Sequence, residues 1–277
     1  MNNLQSYVTS PLVSLSRFDH PACEPHSDPP EECSPCYSIN FIERGSYTLQ
    51  VGRRRWQMSP GTLFITWPGM LYRCEHGEEF PSDVSLLVMY TDAFASELAE
   101  AVRLKPGRLA HVAALDNRLA YLYQRLKRLS TGEGEAMTAE TLAGELFASV
   151  AGREEGAPRR LHKSHQLAWY VERVEAARAL METEYQASHS LASLARRAGM
   201  SPFHFARIFQ ELAGTPPHRY LVKVRLAQAA ERLRDGAGVT QTCFSTGFTN
   251  LSHFIRLFRR TYGLTPSQFA RRSSQGQ

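Results

Sequence analysis

The most regular hydrophobic pattern in the chain is written twice. Phe205, Ile208 and Phe209 fall at positions i, i+3 and i+4, and Phe254, Leu257 and Phe258 repeat that spacing 49 residues later. Each triplet predicts an amphipathic helix whose apolar stripe faces a core. The echo reaches beyond the stripes: His204 and His253, Gly214 and Gly263, Pro217 and Pro266, and Tyr220 and Phe269 stand at the same offset. Ala198-Gly199-Met200 answers Thr246-Gly247-Phe248, with one residue more in the second turn. A repeated supersecondary unit is therefore expected.

Each copy reads as two short helices joined by a tight turn. In the first, a helix over 190–198 carries apolar Leu191, Leu194 and Ala195, Gly199 permits the turn, and Ser201-Pro202 supplies an N-cap with proline at the first helical position. The second helix then covers 202–212. The other copy runs from Val239 through Gly247, with Asn250 capping a helix that ends near Tyr262. Between them, 217–234 predicts one long helix that sets the spacing of the two units. This is helix-turn-helix geometry, in which the second helix of each unit offers its polar face to a major groove.

The first half has a different period. Apolar or alternating runs at 37–42, 47–51, 55–58, 63–67 and 84–90 are separated by turn signals at Gly45-Ser46, Gly52, Ser59-Pro60-Gly61 and Pro68-Gly69. They predict an antiparallel barrel or sandwich. Residues 1 to about 32, with Pro21, Pro25, Pro29 and Pro30, read as an irregular arm. Helical patterns follow at 92–104, 116–129 and 138–150; the second has Leu119, Leu122, Leu126 and Leu129 in one stripe, suited to packing on the barrel or on a twin. The fold class expected is α+β: a cupin-like antiparallel β-barrel with helices over 1–151, a linker over 152–164, and an all-α tandem helix-turn-helix domain over 165–277.

Charge separates the same two parts. Residues 165–277 hold 15 Lys+Arg against 7 Asp+Glu, a net +8, whereas the remainder holds 17 against 20, a net −3. No acidic residue follows Asp235, while Arg256, Arg259, Arg260, Arg271 and Arg272 do. A basic patch confined to one domain is the footprint of a polyanion binder. No apolar run approaches the ~20 residues that span a bilayer, and no export signal is visible, so a soluble cytoplasmic protein is expected.

Over 190–272 the chain resembles the AraC/XylS transcription regulators, whose DNA-binding domain joins two helix-turn-helix units by a central helix. The matching residues include Leu194-Ala195, Ala198-Gly199-Met200-Ser201, Phe209, Gly214, Pro217, Tyr220 and Arg225-Leu226-Ala227. In the second half they include Gly247-Phe248, Ser252-His253-Phe254, Phe258-Arg259, Tyr262-Gly263 and Thr265-Pro266. Cys243-Phe244-Ser245 departs from the family's usual Ile-Ala pair, and Cys243, matching Ala195, is expected to be a small buried packing residue. The resemblance implies base-reading positions at Phe203, Ala206, Arg207 and Gln210, and at Asn250, Leu251, Ser252, Ile255 and Arg256. Phosphate contacts fall to Ser201, Arg259, Arg260, Arg271 and Arg272. It further implies a homodimer that acts as an activator on double-stranded promoter DNA with RNA polymerase as partner, and no enzyme activity. A cupin enzyme with an appended DNA domain is the rival from another class, and the histidine pair it would need before the first strand is absent.

Four of the five cysteines, Cys23, Cys33, Cys36 and Cys74, lie in the first 74 residues, with His20, His26 and His76 close by. Cys33-x2-Cys36 has zinc-knuckle spacing without its second half. On a strand Tyr72, Cys74 and His76 share one face. Three readings stay open: a soft-metal site, for which Zn(II) or Cu(I) suits thiolates; a thiol switch, including an alkyl acceptor; and unremarkable free thiols beside a pocket for a small organic effector.

Overall fold

The computed structural model describes residues 4–20, 29–77, 82–104, 109–130, 136–151, 153 and 161–274. Two compact units divide at His162 and Lys163. Most of the expected linker, including 154–160, lies outside the described residues, as do Cys23 and its neighbours at 21–28. Among the described residues no helix is long and apolar enough to cross a membrane.

The first unit is built from two antiparallel sheets. One has the order β1 (Leu4–Thr9), β2 (Val13–Asp19), β9 (Val84–Tyr90), β4 (Tyr37–Arg44), β7 (Thr62–Thr66) and β10 (Val112–Ala114); the other runs β3 (Glu32–Cys33), β8 (Leu71–Glu75), β5 (Tyr47–Val51) and β6 (Arg54–Met58). Every strand that the alternation predicted is present within a residue or two. The irregular arm is a correction. Residues 4–9 and 13–19 are a hairpin with Leu4 opposite Phe18 and Thr9 opposite Ser14, and β2 then pairs along its whole length with β9. The prolines that argued against structure there begin at Pro21, leaving the backbone donors of 13–19 free for the ladder. Pro11 sits in the hairpin turn, where Ser10 Oγ accepts from the backbone of Leu12 and Val13.

Three helices close the unit: α1 (Asp92–Ala101), α2 (Asn117–Arg128) and α3 (Ala136–Val150). Asp116 caps α2 by accepting from Leu119 N at 2.9 Å. Leu119, Leu122 and Leu126 are buried inside the single chain, so the stripe that also suited a twin is already covered. Tyr90 Oη donates to Ala143 O at 2.9 Å and ties β9 to α3. Burial pushes that phenol's pKa well up and keeps it a donor.

The second unit is all helix: α4 (Ser164–Thr183), α5 (Leu191–Arg197), α6 (Pro202–Ala213), α7 (Pro217–Arg234), α8 (Val239–Ser245), α9 (Leu251–Tyr262) and α10 (Pro266–Ser274). Both doubled stripes are core: Phe205, Ile208 and Phe209 are 0 % exposed, as are Phe254 and Phe258, with Leu257 at 8 %. Burying side chains of this size contributes about 1.5–3 kcal/mol each, which fixes which face of α6 and α9 remains outside. Cys243 is buried at 0 %, the small packing residue expected opposite Ala195.

Helix α4 is an addition to the sequence reading. It packs on α6 and α7: Tyr170 Oη lies 3.1 Å from His204 Nε2, and the buried Arg178 donates from Nε to Tyr220 Oη at 3.0 Å. It therefore holds the first reading helix from behind.

Candidate nucleic-acid interface and effector cavity

The outward face of α6 begins at its N-cap. Ser201 Oγ accepts from His204 N at 3.3 Å, Pro202 opens the first turn, and Gly214 ends the helix in the left-handed region at φ 72°. Phe203, 82 % exposed, stands on this face with exposed Arg207 and Gln210, and Ala206 is partly covered. A phenylalanine this exposed contributes little to packing the unit, and a single exposed apolar side chain is ordinary on a protein surface. Arg207 Nη1 lies 3.8 Å from Glu211 on the next turn. Such an exposed pair is worth about 0–1 kcal/mol and is easily given up.

The second helix differs. Asn250 caps α9 with Oδ1 accepting from His253 N at 2.8 Å, so that oxygen is committed to the backbone. Ser252, Arg256, Arg259 and Arg260 are exposed. Leu251 and Ile255, expected to face outward, are half-buried against the core around Phe254, Phe258 and Leu226. The helical wheel places them at the margin of the apolar stripe, and packing draws them in. Ser252, Ile255, Arg256, Arg259, Arg260 and Thr265 border one open depression along α9. Arg271 and Arg272 are exposed on α10, whose Phe269 packs edge-on against Phe258 at 5.3 Å.

One clasp joins the central helix, the loop between α4 and α5 and the second turn. Arg225, on the central helix α7, donates from Nε to Tyr185 O at 2.7 Å and from Nη2 to Ala187 O at 2.9 Å. It thereby grips the loop between α4 and α5. Gly247, in the second turn at φ 86°, presses on the same place: a Cβ there would lie 2.8 Å from Gln186 O and 2.9 Å from the Arg225 guanidinium.

In the first unit a cavity of about 430 Å³ opens between the sheets. Small-molecule sites typically occupy roughly 300–1,000 Å³. One wall is a buried polar ladder in which Ser34 Oγ donates to Thr66 Oγ1 at 2.8 Å, Ser38 Oγ lies 2.8 Å from Thr66 Oγ1, and Asn40 Nδ2 donates to Ser38 Oγ at 2.8 Å. Another wall carries His20, His76 and Asp83. His76 Nε2 lies 2.9 Å from Asp83 Oδ1, the His20 and His76 rings stack at 4.3 Å, and Ser85 Oγ donates to Asp83 Oδ2 at 3.1 Å. At the rim Tyr72 Oη donates to Glu32 at 3.0 Å, and burial together with Glu32 raises that phenol's pKa.

The cysteines divide rather than converge. Cys33 is exposed on β3 and does not line the cavity, Cys36 and Cys74 do, and Cys23 lies outside the described residues. The metal-capable grouping among the described residues is His20, His76 and Asp83, with no cysteine in it. Of the five residues suggested by the cysteine spacing, only His76 belongs to it. Burial pushes the Cys36 and Cys74 thiols up, away from the thiolate that an alkyl acceptor or redox switch requires. Peptide mapping of the native protein after brief maleimide treatment at neutral pH is expected to find Cys33 labelled first. Cys74 and Cys243 should react only after unfolding; labelling of Cys74 as fast as Cys33 would contradict this placement.

Sequence reading missed His20 as a partner of His76, and missed Asp83 entirely. The link is strand register: β2 ends at Asp19 opposite Val84, so the next residue on one strand meets the preceding residue on the other, and His20 N donates to Asp83 O at 2.9 Å.

Comparison with known proteins follows the same two units. Residues 20–147 match the model of an AraC-like ligand binding domain, and residues 194–272 match a helix-turn-helix domain. The HTH-type transcriptional regulator ExsA of Pseudomonas aeruginosa is 27% identical over 258 residues, covering 87% of this chain and 89% of its own. The HTH-type transcriptional activator RhaS of Escherichia fergusonii is 30% identical over 155 residues, 53% of this chain and 51% of that one. An HTH-type transcriptional regulator of Haemophilus influenzae is 40% identical over 77 residues, which is 27% of this chain and only 26% of its relative. With a ligand-binding unit preceding a tandem helix-turn-helix unit, and both matched in that order, the chain belongs to the AraC/XylS family of transcriptional regulators.

Proposed function

We propose that the chain is an effector-responsive activator that works as a homodimer in the cytoplasm, with residues 1–151 for sensing and dimerisation, 152–164 as linker and 165–277 for reading promoter DNA. The cavity of the first unit takes the effector, and the second unit brings RNA polymerase to the promoter. The observation that carries this reading is the pair of outward faces on α6 and α9, each left open by an apolar stripe that is fully spent on the core.

On the first helix Arg207 and Gln210 have the donors for base edges, Phe203 and Ala206 suit a thymine methyl, and Ser201 sits where a helix N-terminus meets phosphate. On the second, Ser252 and Arg256 face outward, while Asn250, Leu251 and Ile255 offer an amide nitrogen and apolar edges at the margin. Arg259, Arg260, Arg271 and Arg272 supply the charge for the backbone. Two linked helices in successive major grooves, ~34 Å apart, would lie on one face of the duplex.

The test is selection of genomic fragments by the purified full-length chain, followed by competition with random duplex at low salt. A fragment retained against excess competitor is the expected result. Binding no better than competitor under every effector condition would end the reading. The switch requires that the effector favour one arrangement of the dimer over another, by as much as its affinities for the two differ.

A further inference from the structure

We propose that His20, His76 and Asp83 form a binding site for a divalent transition-metal ion of the Zn(II) class, and that the ion is the effector or its anchor. The binding half stands on the cluster alone; the regulatory half rests on the cavity being the effector site.

Three chain segments converge here: the residue after β2, the residue after β8 and the residue before β9. One ring nitrogen from each histidine and one Asp83 oxygen lie within 4.8 Å of one another. With metal–ligand bonds of ~2.0–2.2 Å, ligand atoms in a tetrahedral site stand roughly 3.4 Å apart. Closing the site requires the two histidine rings, stacked at 4.3 Å, to turn so that one nitrogen of each points at the ion. His76 and Asp83 are 4 % and 5 % exposed, and His20 Nδ1 is buried with no hydrogen-bond partner among the described residues.

The surroundings favour a cation. Among the described residues the cavity lining contains the carboxylates Glu32 and Asp83 and no lysine or arginine. A carboxylate taken out of water needs partners to offset its lost hydration, and a metal ion held between Asp83 and the two imidazoles would provide one. The second layer is in place as well. Ser85 orients Asp83 through Oδ2, leaving Oδ1 toward the histidines, which is how outer-shell groups aim a ligating carboxylate. Gly45, at φ 81°, lets the strand turn lie directly against this segment, since a Cβ there would sit 2.2 Å from Ser82 O.

Two nitrogens and one oxygen suit a borderline ion such as Zn(II) better than Cu(I), which prefers sulfur. Three protein ligands leave a fourth position, on the side of the cavity, for water or for a donor atom of a small organic molecule.

The experiment uses the untagged full-length chain, stripped with a chelator and titrated with Zn(II) against a chromophoric competitor, and with Co(II) for its visible spectrum. One ion per chain is expected, with a Co(II) spectrum of low-coordinate nitrogen and oxygen ligation. His20→Ala, at the strand end, and Asp83→Asn are each expected to weaken Zn(II) binding by about 100-fold or more, while Cys33→Ser leaves it unchanged. Absence of stoichiometric binding, or His20→Ala binding as tightly as the parent, overturns the site. A loss in Cys33→Ser equal to that in His20→Ala would likewise overturn it in favour of the thiols. Affinity for a selected duplex is then measured with stripped and loaded protein. A change of about fivefold or more is the expected coupling; equal affinity overturns the regulatory half alone. Failure to bind any duplex in either state would instead count against the DNA-reading function and leave the titration to decide the metal site.

Discussion

Alanine at Gly247 is expected to destabilise the helical unit by about 3 kcal/mol, against roughly 1 kcal/mol for alanine at Gly199. Both glycines occupy the turn of a helix-turn-helix unit, and both are left-handed, at φ 86° and 65°. The conformational cost of a Cβ is therefore similar. The difference is space: nothing lies within 4 Å of a Cβ at Gly199, whereas one at Gly247 meets a backbone oxygen at 2.8 Å and the Arg225 guanidinium at 2.9 Å. The arginine tip can move, but only by releasing Tyr185 O and Ala187 O, and the Gln186 carbonyl belongs to the loop it holds. Urea unfolding of the two variants, followed by the far-ultraviolet helix signal, checks the prediction. Equal losses would mean that the second turn is not a contact point against Arg225 and the loop it holds.

The other large effect concerns DNA. Arg207→Ala is expected to reduce preference for a selected site over competitor by about 5- to 150-fold, the equivalent of the ~1–3 kcal/mol that a bidentate arginine–guanine pair supplies. Its salt dependence should change little. Arg260→Ala should instead weaken selected and random duplexes together and lower the salt slope by about 1, as loss of one phosphate contact does. The contrast follows from position. Arg207 stands one turn beyond exposed Phe203 on the open face of α6, 3.8 Å from Glu211, while Arg260 sits near the C-terminal end of α9 among Arg256 and Arg259. Binding isotherms over a salt series with both duplexes separate the two; identical behaviour of the variants would remove the distinction between reading and holding.

The helical unit was the more legible half because its signals are local. Stripe, N-cap, turn glycine and terminal glycine all lie within a dozen residues of one another, and Ser201, Asn250, Gly214 and Gly263 do in the structure what their positions imply. Leu251 and Ile255 show where local reading stops. A wheel puts them at the margin of the stripe, and the presence of Leu226, Phe254 and Phe258 beside them draws them in. In the first unit β4, β5, β6, β7 and β9 were legible by alternation and β8 was not, while proline content masked β1 and β2, whose shape depends on β9 as a partner.

By itself, the sequence determined a β-rich unit followed by two helix-turn-helix units, the buried faces of α6 and α9, and the basic charge of the second half. Periodicity, capping and charge are properties of neighbouring residues. Only the tertiary structure decided that α4 backs the first reading helix and that Arg225 and Gly247 share one contact. It also brought His20, His76 and Asp83 together as the metal-capable grouping among the described residues. These depend on strand register and on which distant segments meet, and antiparallel pairing of β2 with β9 brings His20 to Asp83 although they are far apart in the sequence.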